Sequence, residues 1–370
     1  MGFSIEGNSG KSKATVEKAK ELKRQTDKFS FYSLNKSTGS TYLNYMMQVI
    51  FEVKYCIKYL LKEKPDVLFA RSNFGILLVI LTRFFNTYLI FEVHSDFKDE
   101  SKILYRNNYI LKKISLIVNY ISIISYKNSD GIIFNNPDLE NYFISEYSLQ
   151  EISTISIYNG SNIEEFYPEN RFKVRKKLCH EIKENDLLFV FTGSVSQWHG
   201  VEYLINTFIE LKEIFNERNL LLYIVGGGSN QYRLSLKNQY SSEAGITFID
   251  EVSTNIARDY INASDVCMLP VAKIRVSQGS PLKLYDYIAC GRPVITQSNI
   301  NGYSDVINKY ELGIDVDFYT PDKAASLIVK FLKKTDLNNL GNKNREKAIN
   351  NLSWEKVIHK WIQFAIKNDS

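Results

Sequence analysis

Residues 278–295 read Gln278-Gly279-Ser280-Pro281-Leu282-Lys283-Leu284-Tyr285-Asp286-Tyr287-Ile288-Ala289-Cys290-Gly291-Arg292-Pro293-Val294-Ile295. The pattern predicts a short helix held between two stops. Ser280 suits a helix cap and Pro281 a first helical residue. The N–H groups of such a first turn, together with the helix dipole, favour an anion such as phosphate. Gly291 ends the helix and Pro293 prevents its continuation, after which Val294 and Ile295 begin a buried strand. Between the stops nearly every residue is apolar, so the helix is expected to be largely buried. Asp286 is the exception. It lies about 7.5 Å along the axis from Pro281, at roughly 1.5 Å per residue, and its side chain tilts back toward the N-terminus. A carboxylate there can accept sugar hydroxyls from a nucleotide whose phosphate rests on the first turn. The alternative is an i,i+3 ion pair with Lys283. The ligand reading is preferred, because a buried helix seldom keeps a carboxylate only for a weak pair.

This stretch resembles the donor-binding motif of the retaining, GT-B-fold family 4 glycosyltransferases (glycosyltransferases group 1). Their usual form carries two glutamates separated by seven residues, with Gly-x-Pro after the first. In this chain the second acid is Asp286, and Gln278 stands in place of the first. The core from Ser280 to Ile295 is similar to a common branch of that family, and the resemblance extends over most of the chain. It implies an α/β fold of the GT-B type, two Rossmann-like domains facing a central cleft.

Composition is compatible with that implication. The chain has 370 residues, enough for two domains with separate cores. An apolar content of 44% and a charged content of 24% are those of a globular protein. The net charge of +5 suits an anionic substrate or a lipid surface. Cys56, Cys179, Cys267 and Cys290 show no metal-binding spacing, and a reducing cytoplasm is the expected compartment. The opening residues from Met1 are polar and charged beyond Ile5, so no secretory leader is expected.

Strand and helix signals alternate along the chain, the pattern of parallel sheets. Strands are expected at 1–6, 29–33, 66–70, 88–93, 131–134 and 155–160. Helices are expected at 13–25, 42–62, 75–84 and 101–127. A polar stretch from Glu164 to Asn185 reads as a linker with a short helix. The second half restarts with a strand at 187–192. Helices at 200–215, 229–241 and 254–263 alternate with strands at 220–225, 246–249, 265–269 and 293–296, before helices at 321–335 and 342–367. The resemblance then implies three units: an acceptor-side domain at 1–166, a nucleotide-sugar-binding domain at 167–345, and a C-terminal helix at 346–370 packing back toward the first domain. The apolar run Ile110 to Tyr126 is shorter than a membrane span of about 20 residues and is interrupted by Lys112, Lys113, Asn119 and Ser122. It reads as a core helix, with an amphipathic helix resting on a membrane as the alternative.

Other candidate residues fall where strands end. Val190 to Gly200 reads as a strand, a glycine turn at Gly193, then a helix start. Glycine there lets backbone approach a phosphate closely. In the resembling enzymes this turn carries an arginine and a lysine for the leaving diphosphate. Here Ser194 and His199 occupy those places, and Trp198-His199-Gly200 is similar to a known variant. Lys283 is the replacement cation best placed, at the phosphate end of the helix, with Lys273 and Arg275 as further choices. Gly226, in the run Gly226-Gly227-Gly228, makes either a tight turn or a ligand contact. The resemblance implies that residues 248–251 lie near the base, where Asp250 stands in place of the usual glycine. His94 follows a buried strand, where ligands of parallel sheets bind, and the resemblance implies that it lies near the transferred sugar. Glu92, Asp96 and Glu100 accompany it. Gly10 lies in a first-strand glycine loop that resembles the cleft-facing loop of these enzymes.

The assignment expected from sequence is thus His94, Lys283 and His199 for catalysis. Gly10, Gly193, Gln278, Gly279, Ser280, Pro281, Leu282 and Asp286 would bind the donor, with Glu100, Arg275 and Gly226 as further candidates. No Ser/His/Asp triad, metal cluster or nucleic-acid-binding basic tract is present in the sequence. No cofactor and no metal are expected beyond a nucleoside-diphosphate sugar as co-substrate. The resemblance implies transfer to a glycan or lipid-linked glycan with retention of configuration, in bacterial surface polysaccharide synthesis. It is expected to occur in the cytoplasm, with a peripheral contact to the inner membrane as a further expectation. A nucleotide-sugar epimerase and a non-catalytic sugar-nucleotide binder are the alternatives, the second suggested by Gln278 and Ser194.

Overall fold

The computed structural model describes residues 41–71, 75–104, 108–178, 182–227, 231–240, 242–273 and 278–369. The elements expected within residues 1–40, and with them Gly10, lie outside the described residues, as does Arg275.

The first domain contains α1 (Thr41–Glu63), β1 (Val67–Ala70), α2 (Gly75–Phe84), β2 (Tyr88–Val93), α3 (Phe97–Leu104), α4 (Tyr109–Lys127), β3 (Gly131–Phe134), α5 (Pro137–Tyr147) and β4 (Thr154–Ser156). Its four strands pair in parallel in the order β1-β2-β3-β4. Alternate residues of each strand enter opposite cores, as the pleat requires. Leu89, Phe91, Val93, Ile132 and Phe134 pack with α1, α2, α4 and α5, while Ile90 and Ile133 face the other way.

The second domain contains α6 (Arg171–Leu178), β5 (Leu187–Thr192), α7 (Val201–Ile214), β6 (Leu220–Val225), α8 (Gln231–Tyr240), β7 (Ile246–Ile249), α9 (Thr254–Ala263), β8 (Val266–Leu269), α10 (Leu282–Ala289), β9 (Val294–Gln297), α11 (Ser304–Tyr310), β10 (Gly313–Val316), α12 (Pro321–Lys334) and α13 (Leu337–Asn350). The sheet is again parallel, in the order β10-β9-β8-β5-β6-β7. The order in which strands are added therefore reverses between β5 and β8, which opens a crevice at their carboxyl ends. Phe189 and Phe191 pack under α7 and α12, and Leu188 and Val190 face α6 and α9.

The last helix, α14 (Trp354–Asp369), leaves the second domain. Its Val357, Phe364 and Ala365 cover Ile90, Ile133 and Ile157 of the first sheet. The chain thus crosses twice between domains, and the crossings touch. The Ser161 N–H donates to Leu352 O at 2.6 Å, and the Trp354 N–H to Ser161 O at 3.1 Å. A Cβ on Gly160 would stand 2.9 Å from Trp354 N, so a side chain there would push the crossings apart.

Two expectations on helices need correction. The helix expected at 342–367 is two, α13 and α14, because Ser353 leaves the helical path to bridge Ser161 between Asn351 and Trp354. The helix expected from 101 to 127 is also two. Asp96 starts α3 by accepting the Lys98 N–H at 2.9 Å, and Asn108 starts α4 by accepting the Leu111 N–H at 3.0 Å. Helices α5 and α11 and strand β10 were not expected from the sequence.

Candidate active site

The crevice between β5 and β8 is built from three turns. β5 ends at Thr192 and passes into Gly193, whose φ of +121° is open to glycine but strained for other residues. β6 ends in Gly226, at φ +104°, so close that a Cβ there would lie 3.0 Å from Gly193 O. The segment after β8 packs on the short helix Gln197–His199. The Ala272 N–H donates to Trp198 O at 3.1 Å, and a Cβ on Gly200 would meet the Val271 backbone at 2.8 Å.

Helix α10 closes this crevice. Lys283 reaches back to the glycine turn. Its ammonium lies 4.2 Å from the centre of the Phe191 ring and 3.1 Å from where a Gly193 Cβ would be. The sequence proposed these two positions separately, and the fold places them in contact. Tyr287, fully buried, fixes that distance: its hydroxyl accepts the Thr192 N–H at 2.9 Å and meets Thr192 Oγ1 at 3.2 Å. The half-buried Lys283 faces little water. Burial pushes its ammonium down to about 7, against the pull of Asp286. Burial likewise pushes Asp286 up to about 7, with Glu165 adding to the rise and Lys283 opposing it. Among the described residues no ion pair joins Lys283 to Asp286, so the i,i+3 alternative is absent from this conformation.

The start of α10 differs from the sequence expectation. No side chain caps it, and Pro281 occupies the cap position in extended conformation, φ −74° and ψ 120°. Ser280 is engaged elsewhere. Its hydroxyl accepts the Asn159 N–H at 3.0 Å and pairs with the Tyr285 hydroxyl at 2.9 Å, while Asn159 Nδ2 donates to Ser280 O at 2.5 Å. Ser280 therefore ties the loop to the first domain, and the first turn of α10 stays uncapped by any side chain. Leu282 is exposed there, and Gln278 is buried.

The first domain supplies the opposite wall. Gly279, at φ +72°, lies between Asn135 and His94; a Cβ would stand 3.5 Å from Asn135 Nδ2 and 3.9 Å from His94 O. Asn136 is fully buried and donates through Nδ2 to Gly279 O at 2.9 Å and Asn301 O at 2.6 Å. Its Oδ1 meanwhile accepts the Asp138 N–H at 2.8 Å and starts α5. The His94 imidazole pairs through Nε2 with the Glu92 carboxylate on the same face of the β2 end. The His94 backbone carbonyl thus lies beside the Gly279 loop.

The remaining candidates separate. His199 sits on the short helix with Nδ1 2.7 Å from Ser196 Oγ and its ring 6.4 Å from that of Phe191, beside the glycine turn. Lys273 leans over the Tyr319 ring at 5.7 Å. Asp250 forms an ion pair with Arg233 at 2.8 Å, and Arg233 also donates to Gly226 O at 3.1 Å, bracing that turn. Asp96 is committed within its own domain, accepting from the Tyr142 and Tyr147 hydroxyls at 3.1 and 3.0 Å. Glu100 belongs to α3, and its side chain lies outside the described residues. The sequence reading missed Asn135, Asn136, Tyr285 and Tyr287 as residues that hold the site. Their signal was the polar pair directly after an apolar strand and the two tyrosines flanking Asp286.

Among the described residues no three His, Cys, Asp or Glu side chains gather in a way that could hold a metal ion. Lys283 and the backbone at Gly193 and the α10 start gather at one end of the crevice.

The comparisons agree with this architecture. Residues 173–351 match the family Glycosyl transferases group 1. An uncharacterised glycosyltransferase of Methanocaldococcus jannaschii is 25% identical over 332 residues, covering 86% of this chain and 80% of its own. The UDP-Gal:alpha-D-GlcNAc-diphosphoundecaprenol alpha-1,3-galactosyltransferase of Escherichia coli is 24% identical over 309 residues, 82% of this chain and 76% of its own. The structure of WaaG, a glycosyltransferase involved in lipopolysaccharide biosynthesis, superposes with a TM-score of 0.68 at 15% identity, covering 97% of each chain. The second domain thus matches the group 1 glycosyltransferase family, and the chain has the GT-B fold, two Rossmann-like domains with parallel sheets.

Proposed function

We propose that this protein transfers a hexose-type sugar, with retention of configuration, from a nucleoside diphosphate to a lipid-linked glycan. The setting would be bacterial surface polysaccharide synthesis, on the cytoplasmic side of the membrane. The observation that carries the donor half is the contact of Lys283 with the Gly193 turn, beside an uncapped helix start. These groups would stabilise the negative charge that grows as the sugar–phosphate bond breaks. Asp286, further along α10, would hold hydroxyls of the donor. His94, held by Glu92 across the cleft, would contact the transferred sugar. The β-phosphate can itself take the acceptor's proton, so no separate base is needed. The acceptor half is supported by the relative from Escherichia coli, whose name gives a diphosphoundecaprenol substrate. The experiment is a transfer assay with a panel of nucleoside-diphosphate sugars and undecaprenyl-diphosphate-linked acceptors, read by product mass and anomeric configuration. Donor binding without turnover on any acceptor would favour a sugar-nucleotide binder. Isomerised donor in the absence of acceptor would favour an epimerase.

Two expectations follow from the charge arrangement. Transfer should survive exhaustive EDTA treatment, since Lys283 and backbone N–H groups at the α10 start would neutralise the diphosphate in a metal's stead. Activity that disappears with EDTA and returns with Mn²⁺ would overturn this. Donor binding should also take up a proton at alkaline pH. At about pH 8.5 the free protein holds Lys283 mainly neutral and Asp286 ionised, and a bound diphosphate restores the ammonium. Calorimetry in buffers of different ionisation enthalpy should show uptake approaching one proton, abolished in Lys283→Met. Zero uptake by the wild-type protein would place Lys283 away from the phosphates.

A further inference from the structure

Helix α4 exposes much of its apolar side. The side turned to the domain buries Ser115, Asn119, Ser122 and Ser125 beside only two core residues, Ile123 and Tyr126. Three of these serines donate within the helix, Ser115 to Lys112 O, Ser122 to Val118 O and Ser125 to Ile121 O, at 2.7 to 2.9 Å. Asn119 reaches the Tyr147 hydroxyl at 3.4 Å. The outward side carries Tyr109, Ile110, Leu116, Ile117 and Tyr120, all exposed, with Tyr120 at 67%. A surface helix of a globular protein usually turns such residues to the core. Helix α2 packs beside α4 and is tied to its end, where Arg83 donates to Asn128 O at 3.2 Å. It adds two more exposed apolar residues, Ile80 and Phe84, the second 82% exposed.

We propose that α2 and α4 form the face by which this protein rests on an anionic lipid bilayer. The choice of occupant rests on charge. The two helices carry Arg83, Lys112, Lys113 and Lys127 and no carboxylate. Aliphatic side chains, tyrosines and rimming cations on one helix face are what the headgroup–acyl boundary accommodates. No helix among the described residues is long and apolar enough to cross a membrane, so the contact is a resting one. Position adds a second argument. Helix α4 returns from the carboxyl end of β2 to the start of the parallel β3, so its first turn lies at the carboxyl edge of the sheet, the edge that carries His94. A bilayer on this face would lie beside the mouth of the cleft. The proposal rests on the reading of the acceptor as lipid-linked and names the surface that would meet the lipid.

The test is co-sedimentation of the full chain with vesicles of phosphatidylcholine alone, or with about 30% phosphatidylglycerol added, at low and raised salt. Binding is expected only to the anionic vesicles and should weaken with salt. Ile117→Asp with Tyr120→Asp, and separately Lys112→Glu with Lys113→Glu, should each lower the bound fraction roughly tenfold or more. The charge-reversal pair changes only exposed lysines, so it keeps the test valid if the first pair lowers the melting temperature. Wild-type protein that ignores anionic vesicles would overturn the proposal. So would a wild-type dimer that both variants convert to monomer without any vesicle binding, because the face would then seat a second copy. Transfer to a water-soluble acceptor should be unchanged in both variants, which separates this surface from the catalytic reading. Vesicle binding without transfer to any lipid-linked acceptor would leave the surface standing and remove the proposed acceptor.

Discussion

Replacing Lys283 with alanine is expected to slow sugar transfer roughly 100- to 1,000-fold while weakening donor binding less than about tenfold. The asymmetry follows from where the ammonium sits. It packs between the Phe191 ring and the Gly193 turn, in a position where burial already disfavours its charge. A resting diphosphate and a departing one both attract it, but the departing one carries more charge on the bridging oxygen. A cation held by packing, with little water to screen it, is therefore worth most at the transition state. Steady-state kinetics beside donor titration by calorimetry would separate the two quantities. Wild-type turnover in Lys283→Ala would assign the phosphate to other groups, His199 first among them. Equal losses in binding and turnover would make Lys283 a uniform binding residue.

Asp286→Ala should weaken donor binding by about 1.5–3 kcal/mol, roughly 10- to 150-fold, the range for hydrogen bonds to a charged group. The fold should not suffer for it. The folded protein holds this carboxyl at about 7, above its ordinary value, chiefly through burial. A group whose pKa is raised by folding contributes stability below its unfolded pKa, and loses that contribution as pH rises through its folded value. Above about pH 7 the ionised Asp286 therefore opposes folding, and removing it should leave the melting temperature at pH 8 equal or higher. A lower melting temperature with unchanged donor affinity would make Asp286 a structural residue and remove it from the site.

Much of this architecture was legible because its signals are local. The strands at 88–93 and 131–134 and the helix at 254–263 have the expected bounds, since each is an apolar or periodic run between turn residues. The short helix and following strand within residues 278–295 were legible for the same reason: glycine, proline and one carboxylate in 18 residues limit what the backbone can do. What escaped was long-range. Ser280 has the composition of a cap, yet its hydroxyl is claimed by Asn159 and Tyr285, a choice that depends on where another domain lies. Asp96 stands after a strand like His94, but two tyrosines of α5 hold it. Strand β10 and helix α11 were missed because Ser304–Tyr310 is short and largely polar and Gly313–Val316 includes an acid, so tertiary pairing decides them.

The seating of α14 on the first sheet has a consequence for how the chain is made. Ile90 and Ile133 emerge from the ribosome more than half a chain before Val357, Phe364 and Ala365, which cover them. The usual order, in which an N-terminal domain completes itself while the rest is still being synthesised, is closed to this protein. During that interval one side of a parallel sheet stands open, and parallel pairing is already slow to form. Closing the long loop adds little to the final free energy, because its cost grows only with the logarithm of length. The cost is in time. For the whole of that interval Ile90 and Ile133 lack the cover that Val357, Phe364 and Ala365 give them.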